Sequence, residues 1–177
     1  MTAFILNSNS RFLLAILNSK LTAYLISIWA ISRRGGYVEY KVQYLEKLPI
    51  PLVAPAEQQP FIALADELLT GHRALHAADA QFATLLQAEL GLAAPLTGKL
   101  APAQEWKPWS LALQKALGRP LTLAEKGEWL PHHTQHQQQQ AQRRQHLATL
   151  DQQLDQLVYQ LYGLTPAEIA LVAGTNP

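Results

Sequence analysis

The C-terminal part of the chain carries the most regular apolar pattern in the sequence. Its apolar residues recur at steps of three and four, on one face of a helix: Leu147, Leu150, Leu154, Leu157, Val158 and Leu161. Gly163 follows where a left-handed C-terminal cap favours glycine, because a residue without a Cβ adopts positive φ at little cost. Thr165, Pro166 and Glu168 have the pattern of an N-cap, a first helical residue and a capping-box acid. The sequence therefore predicts a long helix, a sharp stop and a short second helix.

Two long segments have the periodicity of amphipathic helices. The first covers residues 61 to about 90, and the second covers residues from about 131 to 162. The apolar positions of the first are Phe61, Leu64, Leu68, Leu75, Phe82, Leu85 and Leu86. Between them, one short helix is ended by Gly118 and another is capped by Thr122 and Glu125. We expect the two long helices to pair antiparallel as a coiled-coil-like arm.

A proline-rich segment, LEKLPIPLVAPAEQQP, separates these helices from the N-terminal third. Its prolines fix φ and disfavour helix in the residues before them, so we expect an extended boundary. Upstream, residues 10–31 predict one strong, mostly buried helix with Ser10 as its N-cap. The pair Gly35-Gly36 then predicts a turn, and YVEYKVQYL alternates well enough for a short strand. A strand needs a neighbour, and the sequence offers few beyond AFILN, which suggests that part of the sheet lies elsewhere.

Charge is unevenly distributed along the chain. Residues 1–56 carry six lysines and arginines against two glutamates, a net charge of +4, so the remainder nets −3 within a total of +1. A basic N-terminal third points towards a nucleic-acid partner. The absence of cysteine excludes disulfides and thiolate metal sites and fits a reducing cytoplasm. The longest apolar stretch, LTAYLISIWAI, is about half the ~20 residues that a bilayer crossing needs, so we expect no membrane span.

No pattern typical of catalysis stands out. The sequence shows no Ser-His-Asp arrangement and no glycine-rich phosphate loop. Asp151 and Asp155 are four residues apart, and a solvated helix face explains them better than acid–base chemistry. No catalytic residue is therefore assigned.

Histidines and tryptophans offer two further candidates for binding. The histidines in or near the glutamine-rich tract are His132, His133, His136 and His146. Their tract has no acidic neighbour, which favours a solvated helix face over a metal site. The tryptophans within predicted helices are Trp106, Trp109 and Trp129. Because they lie beside leucines, core packing is favoured over base stacking.

Four stretches occur together in an order that resembles one known family. They are FLLAILNSKLTAYLI, RGGYVEYKVQYLEKLPIP, LTLAEKGEW and LDQLVYQLYGLTPAEIALV, and the resemblance extends from about residue 4 to residue 173. The chain resembles the C-terminal end of the large adenine-specific DNA methyltransferases of type IIG restriction–modification and related phage-defence systems. In that family a methyltransferase domain is followed by a target-recognition domain and a helical spacer.

The resemblance implies a mainly α chain made of two parts. Residues 1–55 would be a small α/β remnant of a DNA target-recognition domain. Residues 56–177 would be a long antiparallel helical spacer with a C-terminal helical clasp. The family's Asn-Pro-Pro-Tyr/Phe motif and its glycine-rich S-adenosylmethionine motif do not occur in this sequence. We therefore expect a C-terminal piece that holds no cofactor, with S-adenosylmethionine bound by the implied parent enzyme.

The segment that the resemblance brings closest to DNA is SRRGGYVEYK. Its residues assigned to DNA binding are Arg33, Arg34, Gly35, Gly36, Tyr37 and Lys41. The cationic side chains suit phosphate contacts, and an arginine also fits a guanine edge in bidentate fashion. The glycines let backbone amides approach a phosphate, and the tyrosine offers a stacking ring or a hydrogen-bond donor. The alternative is an ordinary surface turn with solvated charges.

The implied partners are double-stranded DNA and a methyltransferase catalytic domain or subunit. Two other interpretations stay open. A helical interaction or scaffold protein without a DNA role agrees with the near-zero total charge. The specificity subunit of a type I restriction system shares the domain-plus-spacer architecture, but such a subunit usually carries two recognition domains.

Overall fold

The computed structural model describes residues 8–30, 42–92 and 105–174. Within these ranges 80% of the residues are helical, in seven helices, and there is no strand. The helices are α1 (Arg11–Leu17), α2 (Lys20–Trp29), α3 (Val42–Leu45), α4 (Pro55–Leu90), α5 (Trp106–Leu117), α6 (Leu123–Leu161) and α7 (Pro166–Val172). The mainly α fold class expected from the sequence is confirmed, and the two long helices are consistent with the expected helical spacer.

The chain divides into two compact units. Unit 1 comprises Met1–Leu69 and Thr149–Pro177, and unit 2 comprises Thr70–Ala148. The buried apolar residues of unit 1 are Phe12, Ala15, Ile16, Leu21, Ile26, Tyr44, Leu48, Phe61, Ala65, Leu68, Leu150, Leu154, Val158 and Tyr159. Those of unit 2 are Leu75, Phe82, Leu86, Trp109, Leu113, Leu121, Trp129 and Leu147. The core packing expected of the tryptophans is confirmed for Trp109 and Trp129, and Trp106 packs partly buried against the same cluster.

The single helix predicted for residues 10–31 is interrupted. Its two halves, α1 and α2, meet at a bend of 57°. The Ser19 hydroxyl accepts the N–H of Thr22, and the Asn18 side chain donates to the Leu14 carbonyl at 2.9 Å. Because serine and asparagine side chains compete with helical backbone hydrogen bonds, Asn18-Ser19 ends one helix and caps the next. None of the described helices is by itself long and apolar enough to cross a membrane, and α1 with α2 meet that test only as a bent pair.

The strand predicted for YVEYKVQYL does not form where the structure describes that stretch. Residues 42–45 form the short helix α3, whereas residues 37–41 and AFILN lie outside the described residues. The N–H of Glu46 donates to the carbonyl of Val42 at 2.9 Å, so the backbone is satisfied locally. A strand needs a paired neighbour, and a helical turn does not.

The first long helix begins earlier than predicted. α4 starts at Pro55 instead of Phe61, and it includes Pro60 in its second turn. Pro55 occupies the first helical position, where no backbone N–H is required. The Glu57 carboxylate accepts the N–H of Ala54 at 3.0 Å, which completes the N-terminal cap. The helical start favoured by Pro55 and by the Glu57 cap therefore prevails over the extended conformation that the prolines of this segment suggested.

The two helices predicted from Leu121 to Tyr162 are one continuous helix, α6. Its start is as predicted, because Thr122 and Glu125 exchange hydrogen bonds of 2.8 and 3.2 Å. The Arg119 guanidinium also binds Glu125, and together with the Thr122 N–H it lowers the pKa of Glu125 to about 2. The predicted break at Pro131 is wrong, since the helix passes through this proline.

Within unit 2, α4 and α6 pair antiparallel. Gly71 of α4 lies against Leu147 of α6, and Asp79 of α4 contacts His136 of α6. Residues later in α4 therefore contact residues earlier in α6, as in an antiparallel pair. This direction agrees with the expected antiparallel spacer. A coiled-coil geometry stays a prediction.

A glycine in α4 allows this close approach. A Cβ added to Gly71 would lie 2.6 Å from Cδ2 of Leu147, whose side chain is only 4% exposed. We expect Gly71→Ala to lower the free energy of unfolding by roughly 1 kcal/mol, because crowding of roughly 1–3 kcal/mol exceeds a helix-propensity gain of about 1 kcal/mol. Urea denaturation followed by circular dichroism measures the change.

Gly127 in α6 is the matched control for this substitution. An added Cβ there meets no atom within 4 Å, so Gly127→Ala should raise the free energy of unfolding by roughly 0.5–1 kcal/mol. An equal rise in both alanine variants would show that Leu147 moves aside without cost, contrary to the expectation for Gly71.

Candidate functional site

The residues assigned to DNA binding lie outside the described part of the chain. Arg33, Arg34, Gly35, Gly36, Tyr37 and Lys41 all fall within residues 31–41. The described structure shows the elements on both sides of this segment: α2 precedes it and α3 follows it. The two helices contact each other within unit 1. The side chains of unit 1 that hold these two flanks come from α6 and from the residue that follows it.

Asp155 of α6 binds the N-terminus of α2. Its Oδ1 accepts the backbone N–H of Lys20 at 2.8 Å, and its Oδ2 lies 3.7 Å from the Lys20 ammonium. The first N–H groups of a helix have no partner inside that helix, and a carboxylate placed there is also stabilised by the helix dipole. Asp155 is only 6% exposed, so the solvated position predicted for it is wrong.

Tyr162, two turns after Asp155, binds the chain that follows α3. Its hydroxyl donates to the Pro49 carbonyl at 2.8 Å. Burial raises the pKa of Tyr162, and burial together with the charge of Asp155 raises the pKa of Tyr159. Both phenols therefore remain protonated at neutral pH, and Tyr162 keeps its proton to donate.

The C-terminal motif returns the chain to α2. Gly163 has φ of 65°, and its N–H donates to the Gln160 carbonyl at 3.1 Å, as the sequence predicts for a glycine cap. The capping box of α7 is also confirmed, since the Glu168 carboxylate accepts the Thr165 N–H at 2.8 Å and the Thr165 hydroxyl accepts the Glu168 N–H. The backbone N–H and the hydroxyl of Thr165 both donate to the Glu168 carboxylate and lower the pKa of Glu168. Helix α7 then contacts α2.

Three stretches that are far apart in sequence thus meet in unit 1. LNSKL contributes Lys20, YLEKLPIP contributes Pro49, and LDQLVYQLYGLTPAEIALV contributes Asp155 and Tyr162. We call these four residues the junction. Its contacts are hydrogen bonds and one ion pair, which orient elements and carry out no bond-making chemistry. The junction can therefore fix how α2 and the chain after α3 are held.

A second polar cluster, in unit 2, corrects the interpretation of the histidine-rich tract. His133, His136 and Gln140 are 0%, 9% and 1% exposed. Nε2 of His136 lies 2.9 Å from Oδ1 of Asp79, and Gln140 donates to the same oxygen at 2.6 Å. The ring of Phe82 stacks on His136 with centroids 4.4 Å apart. The acidic partner was missed because Asp79 is 57 residues away in sequence and comes close only when α4 and α6 pair.

The histidines of the tract divide between solvent and core. His132 and His146 are exposed, whereas the ring centroid of His133 lies 4.3 Å from that of Trp109. Among the residues that the structure describes, no group of three or more histidines, aspartates or glutamates is placed to hold a metal ion. Aromatic packing accounts for the burial of His133.

A cleft of about 430 Å³ also lies in unit 2. Its lining combines apolar and charged side chains: Leu85, Glu89, Leu90, Glu125, Glu128, Trp129 and His132. One of the three carboxylates, that of Glu125, is already bound by Arg119 and by the cap of α6. The cleft lies within unit 2, whereas the elements that flank residues 31–41 belong to unit 1.

Two known families match adjacent parts of the chain. Residues 54–158, more than half of the sequence, match the family described as Domain of unknown function (DUF8810). The chain belongs to the DUF8810 family. Residues 2–50 match the TaqI-like C-terminal specificity domain. No curated protein and no solved structure matches the chain.

The specificity-domain match supports a restriction–modification target-recognition domain in the N-terminal third, as the resemblance implied. All six residues assigned to DNA binding lie inside the matched range, and so do Lys20 and Pro49. The DUF8810 region contains Asp155. The hydrogen bond from Lys20 to Asp155 therefore joins the specificity-domain region to the DUF8810 region.

Sequence reasoning missed the residues of the junction, although a signal was present for one of them. Tyr162 continues the four-residue step from Leu154 to Val158, which places it just after the end of α6, in line with the buried face of that helix. Asp155 directly follows Leu154 at the edge of that face. No neighbouring residue in the sequence indicates which group its carboxylate binds. Its partner in α2 lies 135 residues away.

Proposed function

We propose that this DUF8810 protein selects and positions the DNA target of a restriction–modification enzyme. In this proposal it is the C-terminal part of a site-specific, type IIG adenine-N6 DNA methyltransferase that acts in phage defence in the cytoplasm. The observation that carries the proposal is the match of residues 2–50 to the TaqI-like C-terminal specificity domain. The net charge of +4 on residues 1–56 supports it, because a polyanion binds best to a basic region.

The proposed division of labour follows the chain. Residues 1–55 recognise DNA, and residues 56–177 form the helical spacer. The ends of the two family matches, at residue 50 and residue 54, support a boundary there. The continuous helices α4 and α6 support a spacer role for the second part, since long helices hold fixed distances.

The proposed chemistry divides between this chain and its partner. Arg33, Arg34 and Lys41 neutralise phosphates, and an arginine reads a guanine edge. Tyr37 stacks or donates a hydrogen bond, while Gly35 and Gly36 permit close approach of the backbone. Base flipping and methyl transfer to the adenine amino group belong to the partner methyltransferase domain, which binds S-adenosylmethionine.

Reversing two charges tests the assignment. We expect Arg33→Glu/Arg34→Glu to weaken binding to a random-sequence DNA duplex by roughly ten- to a hundredfold at low salt. The slope of log affinity against log salt is negative, and we expect its magnitude to decrease by about 2. Each phosphate contact releases about one counterion on binding, and the variant loses two such contacts. Fluorescence anisotropy titrations of the full chain between about 50 and about 200 mM salt measure both quantities.

The control variant makes the same charge change elsewhere. Lys126 and Arg144 are exposed residues of α6, and Lys126→Glu/Arg144→Glu should leave the affinity within about twofold of the unmodified chain. Equal weakening by both variants would mean that binding responds to total charge and not to residues 31–41. Failure of the unmodified chain to bind DNA at low salt would refute the proposed function and favour the helical scaffold.

A further inference from the structure

We infer that Asp155 and Tyr162 are positioning residues for DNA recognition. Through the junction they hold the two elements that flank residues 31–41, the segment proposed to contact DNA. The inference rests on the proposed function and extends it to residues that contact no DNA themselves.

The junction attaches both flanks to one helix end. On the upstream side, the Asp155 carboxylate binds the first backbone N–H of α2 at 2.8 Å. On the downstream side, the Tyr162 hydroxyl binds the carbonyl of Pro49, four residues after the end of α3, at 2.8 Å. Asp155 and Tyr162 are two turns apart, roughly 10 Å along the helix axis. Each flanking element therefore has one polar attachment at this end of α6.

Polar contacts are suited to this role in a way that apolar packing is not. Burial of α2 against its neighbours is non-directional and tolerates sliding or rotation. A charge-assisted hydrogen bond to a nearly buried carboxylate depends on the distance and direction of its donor. Any shift of α2 would leave Asp155 without its donor at a buried site, which is costly. The bond therefore selects a single register for α2 relative to α6.

A double variant removes both attachments with little loss of volume. Asp155→Ala/Tyr162→Phe keeps the phenyl ring and the apolar core of unit 1. We expect it to bind DNA roughly tenfold more weakly than the unmodified chain, because recognition then requires ordering of the flanks. Asp155→Asn alone should keep the affinity within about twofold of that of the unmodified chain, because the amide oxygen still accepts the Lys20 N–H.

A matched control separates positioning from general destabilisation. Asp66→Ala removes one negative charge from unit 1, as Asp155→Ala does, and breaks the 2.7 Å ion pair between Asp66 and Arg11. Neither residue of this pair belongs to the junction. We expect its DNA affinity to remain within about twofold of the unmodified chain. Circular dichroism at the temperature of the titration verifies that every variant is folded.

Coupling to the DNA-contacting residues is the decisive readout. In the Arg33→Glu/Arg34→Glu background, the junction variant should weaken binding by less than about twofold, because the contacts that it positions are already lost. A purely structural role predicts the same fold-change in both backgrounds.

The outcomes distinguish this inference from the proposed function. If the unmodified chain does not bind DNA, both are overturned. If Arg33→Glu/Arg34→Glu weakens binding but the junction variant does not, or if the two effects multiply, the positioning role is overturned and the proposed function stands. A tenfold loss that disappears in the charge-reversed background, and that Asp155→Asn alone does not show, supports the inference.

Discussion

Replacing Trp109 by alanine is expected to lower the free energy of unfolding by about 3–5 kcal/mol, the largest effect of any single substitution considered for this chain. Trp109 is 0% exposed and belongs to the core cluster of unit 2. Its ring centroid lies 6.1 Å from that of Phe82 and 4.3 Å from that of His133. Truncation removes a large buried aromatic surface and leaves a cavity that rigid neighbours fill poorly.

Leu111 is the matched control because it lies on the same helix. Its side chain is 59% exposed, so Leu111→Ala should change the free energy of unfolding by no more than about 0.5 kcal/mol. Urea denaturation monitored by circular dichroism compares the two variants. If Trp109→Ala were as mild as Leu111→Ala, the aromatic cluster would not be the stabilising core of unit 2.

Removing the carboxylate of Asp79 is expected to cost about 2–3 kcal/mol. Its Oδ1 accepts hydrogen bonds from the Gln140 amide at 2.6 Å and contacts Nε2 of His136 at 2.9 Å. In Asp79→Ala both of these nearly buried groups lose that acceptor. The penalty comes mainly from the groups left behind and less from the attraction itself.

A double-mutant cycle isolates this contact. Asp79→Ala should cost less by roughly 1–2 kcal/mol when His136 is already leucine, since only Gln140 then loses an acceptor and its amide still donates to the Leu75 carbonyl at 2.9 Å. Glu89→Ala, an exposed carboxylate on the same helix, is the control and should be nearly neutral. Strict additivity of the Asp79 and His136 substitutions would show that the contact does not stabilise the pairing of α4 and α6.

Features that depend on a few neighbouring residues were predictable from the sequence. The Gly163 stop, the Thr165–Glu168 capping box and the Gly118 end of α5 all occur as expected. Each is determined by hydrogen bonds within about one turn, so the local sequence contains all the partners. The matched specificity domain likewise agrees with the resemblance carried by short, ordered stretches.

Predictions failed where two local tendencies competed. Asn18-Ser19 lies in an apolar run that favours one helix, yet its side chains cap and divide that run. The alternation that suggested a strand at residues 42–45 gave way to a helical turn, because a strand depends on a neighbour that the pattern alone does not supply. In both cases the conformation that formed is the one whose hydrogen-bond partners lie within a few residues along the chain.

Only the tertiary structure decided the roles of the polar residues on α6. Asp155 meets Lys20 across 135 residues, Tyr162 meets Pro49 across 113, and His136 meets Asp79 across 57. The sequence by itself determined that this segment is helical and which face carries the apolar stripe, because periodicity is a local property. It did not determine which atoms meet the polar groups beside that stripe, because those partners arrive through the packing of helices that are distant in the chain. The Asp155 carboxylate and the Tyr162 hydroxyl acquire their partners from that packing.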